Sequence, residues 1–116
     1  MSLSTTKTRD YPKVDRMRGV NYLKTIDGLS YTIANEDKGK VLLCTQGTTI
    51  TVAALSVPVG SQIDIIAMDT NPPVFQADTG VTLNSKGGAL NMNAQYSGAT
   101  LIKTAPSEWT LIGDLV

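Results

Sequence analysis

"VLLCTQGTTITVAALSVPVGSQIDIIAM", residues 41 to 68, alternates short apolar segments with turn chemistry. "VLLC" (41–44) is a continuous apolar run of the length expected for a buried strand. "TQGT" marks a tight turn. "TITVAAL" (49–55) then sets Ile50 and Val52 against Thr49 and Thr51, the period-two pattern of a half-buried strand. "VPVGSQ" brings Pro58 and Gly60 and reads as a loop. "IDIIAM" (63–68) places Ile63, Ile65 and Ala67 on one face and Asp64, Ile66 and Met68 on the other. No apolar stripe of helical period lasts three turns here or elsewhere. The expectation is an all-β domain.

Working outward, "YTIA" (31–34) is β-rich and "NEDKGK" supplies turn residues. "DTNPP" is the strongest break, because two prolines donate no amide to a ladder. "VFQA", ended by "DTG", and "VTLNS", followed by "KGG", read as two further strands with their turns. From Leu90 to Tyr96, the apolar Leu90, Met92, Ala94 and Tyr96 alternate with Asn91, Asn93 and Gln95. That pattern predicts a strand with a core face and a face of uncharged amides. The chain closes as a hairpin of "ATLIKT" (99–104), loop "APSE" and "WTLIGDL" (109–115). Pro106 fits position i+1 of a type I turn. Trp109 and Tyr96 are expected to pack beneath the hairpin, each burying ~150–250 Å². About eight or nine short strands result, arranged as a β-sandwich or jelly-roll-like barrel, with a barrel-like roll as competitor. No repeat of fixed period is found, which argues against a solenoid.

With 116 residues, 41% hydrophobic and 17% charged, the chain suits one globular domain. It has one cysteine, Cys44, so no internal disulfide is possible. No run approaches the ~20 apolar residues of a membrane helix, and the polar start carries no apolar signal core. The net charge of zero is unevenly spread. Residues 1–28 carry Lys7, Arg9, Lys13, Arg16, Arg18 and Lys24 against Asp10, Asp15 and Asp27. The remainder has the opposite surplus. Residues 1–28 are therefore read as an extended basic N-terminal arm and residues 29–116 as the β domain. Such asymmetry points to a docking segment or to a solvated terminus.

Catalytic chemistry finds few carriers. The chain has no histidine, which removes the usual general base and the commonest zinc ligand. Cys44 ends an apolar strand and reads as a small core hydrophobe. Asp64 is the only acid inside a strand and reads as solvent-facing. Asp69, Asn71 and Asp78 offer oxygen atoms to calcium, but not at EF-hand spacing, and such residues also start turns for local reasons. "KGG" lacks the surroundings of a phosphate loop. The six aromatics are not set in a basic stripe, so nucleic-acid binding is not expected. No enzyme activity, cofactor or metal is expected.

The second half carries a pattern that resembles a small β domain of tailed-bacteriophage virion proteins, found in head-decoration proteins and at the ends of tail or fibre proteins. Pro58, Gly60, Ser61 and Ile63 match its "P-x-G-[ST]-x-I" strand entry. Gly80 to Ser85 with Gly87 and Gly88 match its "GVT[LI]NS…GG" turn. Gln95 to Lys103 and Trp109 to Leu115 match its closing "QYS-x-ATLIK…W-x-L-x-GDL". "YTIANEDKGKVLLC" resembles its opening strands. The likeness covers about residues 30 to 116, and "MDTNPPVFQAD" departs from the Gly-rich passage usual there.

The resemblance implies a virion structural protein, made in the bacterial cytoplasm and assembled as a homotrimer or other homo-oligomer. Two roles follow. In the first, a capsid decoration or cement protein is anchored to the major capsid protein, or to another virion protein, by its arm. Arg9, Lys13, Arg16 and Arg18 would make salt-sensitive contacts there, with Tyr11, Val14 and Met17 as apolar anchors. In the second, a tail-fibre or baseplate module binds host glycan through Asn91, Asn93 and Gln95. These amides equally suit self-assembly or plain solvation. Decoration is preferred, because a fibre protein usually needs a long shaft.

Overall fold

The computed structural model describes residues 22–116. Among them are nine strands: β1 (Leu23–Ile26), β2 (Ser30–Thr32), β3 (Val41–Cys44), β4 (Thr49–Val52), β5 (Gln62–Ala67), β6 (Val74–Ala77), β7 (Thr82–Ser85), β8 (Gly98–Ala105) and β9 (Glu108–Gly113). Two short 3₁₀ turns, Asn35–Asp37 and Lys86–Gly88, join them. The "KGG" turn needs its glycines: Gly87 and Gly88 have φ of 64° and 73°, where a side chain is strained. The all-β expectation is met.

The arrangement differs from a jelly roll. A six-stranded sheet runs β1-β3-β5-β8-β9-β7, and a three-stranded sheet runs β2-β4-β6. From β1 to β6 the chain visits the two sheets in turn, and each return lands parallel to the previous visit. In the larger sheet Leu23 pairs with Val41 and Val41 with Asp64. In the smaller, Ser30 pairs with Thr49 and Thr49 with Val74. This is a solenoid-like winding, whereas jelly rolls are built from antiparallel Greek keys. A solenoid-like winding without a sequence repeat has a simple physical basis. Successive circuits in the larger sheet advance by 18 and then 23 residues, so no fixed period exists to be found. An antiparallel hairpin, β8–β9, closes the winding, and β7 lies parallel to β9 along the far edge.

The core lies between the sheets. Leu42, Cys44, Ile63, Ile65, Leu101 and Trp109 from the larger sheet meet Ile50, Val52 and Phe75 from the smaller. The faces assigned to "IDIIAM" are observed, with Ile63, Ile65 and Ala67 buried.

Four local expectations change. The alternating segment 90–96 is not a strand: only Asn91 and Met92 make bridges, to Val74 and Leu115. Ala94 then enters a turn closed by Ser97, and Tyr96 adopts φ 70°. As a result Met92 is buried but Tyr96 is 70% exposed and does not pack beneath the hairpin with Trp109. At the hairpin, Ser107 has φ 60°, which a type I turn does not allow at its third position and a type II turn requires. Finally, β1 lies within the segment read as arm, so the body begins before residue 29.

Candidate interaction surface

Arg9, Tyr11, Lys13, Val14, Arg16, Met17 and Arg18 lie outside the described residues. The three amides are described, and they do not form one free face. Asn93 donates from Nδ2 to Asp114 Oδ1 at 3.2 Å, and Gln95 donates from Nε2 to the Met68 carbonyl at 3.2 Å. The turn that carries them is held by Ser97, whose hydroxyl accepts from the Ala94 amide and donates to Asp114 Oδ2. Asn91 is exposed, and its backbone pairs with Val116. Two of the three amides therefore anchor a turn.

The acids considered for calcium are also engaged locally. Asp69 Oδ2 accepts from the Asn71 amide, and Asp78 Oδ1 from the Thr79 amide. Among the described residues no three His, Cys, Asp or Glu side chains gather around a common point. Cys44 is fully buried, and burial pushes its thiol up to about 11. A thiol held protonated in this way is a poor nucleophile.

Two polar clusters were not legible in the sequence. In the first, Lys24 of β1 donates to Tyr31 Oη at 2.8 Å, Glu36 Oε2 at 2.8 Å and Asp37 Oδ1 at 3.2 Å. Tyr31 in turn donates to Asp37 Oδ2 at 2.6 Å, and the Ala34 amide donates to the same oxygen. Asp37 is completely buried. The Glu36 carboxylate and the Tyr31 hydroxyl hold the Lys24 ammonium well above its ordinary value, while Lys24 holds Glu36 below its own. Burial, then the bond to Asp37, raises Tyr31. These residues come from β1, β2 and the following 3₁₀ turn, so the network ties the first described circuit together through polar groups. In the second cluster, buried Lys103 points inward from β8 and donates to the carbonyls of Leu55 and Val57. It pins the loop between β4 and β5.

The outward side of the larger sheet is different. One row in register across five strands is Leu23, Val41, Asp64, Thr100 and Ile112. The adjacent row is Thr25, Leu43, Ile66 and Gly98. Leu23 is 55% and Ile112 50% exposed, and Val41, Leu43 and Ile66 are half-buried. Asp64 is the only charged group in the two rows, and its Oδ1 accepts from the Thr100 hydroxyl at 2.6 Å. Because Gly98 has no side chain, a shallow depression of about 430 Å³ opens above it, walled by Val41, Ile66 and Ile112 with Asp64 and Thr100 at its side. Gly113 keeps it open from below: a Cβ there would meet the Gly98 carbonyl and come within 2.6 Å of Ala99 Cα.

Such a surface can bind by apolar contact and one acidic hydrogen-bonding group. No helix among the described residues is long and apolar enough to cross a membrane. In comparison with known proteins, no family model matches the chain, and neither a curated protein nor a solved structure matches it.

Proposed function

We propose that this protein is a non-enzymatic structural subunit of a bacteriophage particle, a capsid decoration protein that acts as a homotrimer or other homo-oligomer. The virion setting rests on the resemblance of residues 30 to 116. The all-β fold, two sheets around one core wound like a solenoid, is compatible with a small β domain of that kind. The observation that carries an assembly role is the outward side of the larger sheet. Parallel strands are normally covered on both faces, yet here Leu23, Val41, Leu43, Ile66 and Ile112 face outward with no described residue over them. Contiguous exposed apolar surface marks association. The alternative of a glycan-binding fibre module has weaker support, because Asn93 and Gln95 already hydrogen-bond within their own turn.

In this role the basic segment preceding Tyr22 contacts the capsid or another virion protein, with affinity built by multivalency, since each exposed ion pair contributes only ~0–1 kcal/mol. The test is co-sedimentation of the purified protein with decoration-free phage heads at low and high salt. Saturable binding that weakens with salt supports the proposal. A defined oligomer that ignores heads under both conditions overturns it.

A further inference from the structure

We propose that the outer edge of β7 pairs antiparallel with β7 of a second copy, about a two-fold axis at Leu83, so that the larger sheets of two copies become one. The ladder shows which backbone groups are free for this. The Thr82 amide donates to the Ser107 carbonyl, and Thr82 and Asn84 lie in register with Glu108 and Thr110 of β9. Alternate residues of a parallel strand bond to the same neighbour. The amides and carbonyls of Leu83 and Ser85 therefore point away from β9, and they find no backbone partner among the described residues. The Val81 carbonyl points the same way, while its amide closes the turn from Asp78.

The other sheet edges are covered, short or charged. On β6 the Phe75 amide donates to the Leu90 carbonyl and the Met92 amide to the Pro73 carbonyl, so residues 90–92 cover that edge. β2 has only three residues, and β1 carries Lys24. Natural edge strands are blunted by charge, proline, a bulge or a covering segment. β7 reads "TLNS", with no charge and no proline, and its register with β9 is unbroken.

The edge suits a copy of itself because its pattern is self-complementary. With Leu83 opposite Leu83, each amide donates to the other carbonyl, and the Ser85 amide of each copy meets the Val81 carbonyl of the other. Thr82 then faces Asn84, so no like charges are opposed. Leu83, half-buried against its own core, meets its counterpart and extends the apolar layer. Asp78 before β7 and Lys86 after it are both exposed, and antiparallel pairing brings the acidic end of one strand to the basic end of the other. The contact rests on β7 and its flanks, not on the virion reading.

The experiment uses the full chain and no phage heads. Sedimentation equilibrium across a wide concentration range should show the mass doubling as concentration rises. Thr82→Lys with Asn84→Lys opposes like charges across the axis and should weaken association about tenfold. Thr82→Glu with Asn84→Lys opposes unlike charges and should restore it. Both side chains are exposed, and urea unfolding of each variant checks that the fold is kept. For the register, Thr82→Cys and Asn84→Cys chains are mixed under a mild thiol oxidant, with Cys44 buried. Directly opposed residues of a non-hydrogen-bonded antiparallel pair are close enough for a disulfide, so the covalent dimer should form about tenfold faster in the mixture than in either chain alone. A chain that stays monomeric and forms no mixed disulfide overturns the proposal. Equal disulfide rates in mixed and single-variant samples overturn it as well. An oligomer insensitive to both pairs of substitutions also overturns it and assigns self-association to another face. Because no head is present, failure here leaves the head-binding test untouched.

Discussion

The two faces of the six-stranded sheet both carry large apolar side chains, with opposite fates. Inward, Leu42, Ile63, Ile65, Leu101, Trp109 and Leu111 are lost to solvent almost completely. Outward, Leu23, Val41, Leu43, Ile66 and Ile112 occupy the intervening positions of the same strands and remain partly or largely exposed. The difference lies in what sits opposite. The smaller sheet, made of β2, β4 and β6, lies against one side only; the chain alternates between the sheets from β1 to β6, and β7, β8 and β9 all join the larger one. The comparison teaches that apolar character alone does not define a core; a second layer has to be present.

The largest effect should come from breaking the inward face. Trp109→Ala is expected to cost about 3–5 kcal/mol through its cavity, whereas Ile112→Ala on the outward side should stay near or below about 1 kcal/mol. Urea unfolding of both variants checks this, and equal losses would mean that the outward side is packed as tightly as the core. Next comes the polar closure of the first circuit. Asp37→Ala leaves the Tyr31 hydroxyl and the Ala34 amide without an acceptor and should cost about 2–3 kcal/mol. Glu36→Ala, at an exposed carboxylate, should change the urea midpoint far less.

The pH dependence follows from the same network. Lys24, Tyr31 and Cys44 all have values raised in the folded protein. A raised group contributes its full share below its ordinary value, and the contribution is lost as pH rises and the unfolded chain releases the proton more readily. Stability should therefore hold through neutrality and fall from about pH 9 upward, as the thiol and then the phenol and ammonium titrate. Glu36 and Asp27 are lowered, so their share is lost as pH falls below about 4. Urea midpoints measured across pH test both limbs, and Lys24→Met should flatten the upper end of the alkaline one. The smallest effect is expected from Thr100→Val, which removes one hydroxyl from a partly exposed pair with Asp64 and should shift stability by less than about 1 kcal/mol.

Much of the local structure was legible. "VLLC", "TITV", "IDIIA", "VFQA" and "TLNS" are strands because their turns are written in Gly, Pro, Asn and Asp at each end. The segment 90–96 misleads for a physical reason. Its alternation is real, but Asp114 and the Met68 carbonyl compete for its amides and Ser97 closes a turn there. Tertiary hydrogen bonds outweigh a period-two pattern in a segment only seven residues long. The outward face was half legible: Ile66 was placed opposite the core partners of its strand, but neither its neighbours nor the depression could be read from one strand at a time. Lys24 gave no signal at all, since a lysine before a turn looks like any solvated charge until β2 and the following 3₁₀ turn are brought against β1.

By itself, then, the sequence determined the β character, the positions of most strands and turns, and the inward face of each, because these depend on backbone preference and on the alternation of neighbouring side chains. Only the tertiary structure decided that the strands from β1 to β6 pair in parallel with partners 18 to 25 residues away, that a polar network ties β1 to β2 and the turn after it, and that one face of the larger sheet has no second layer among the described residues. Those outcomes depend on which strand lies next to which, and strand pairing over such distances is specified by the whole core together, not by any single stretch of the chain.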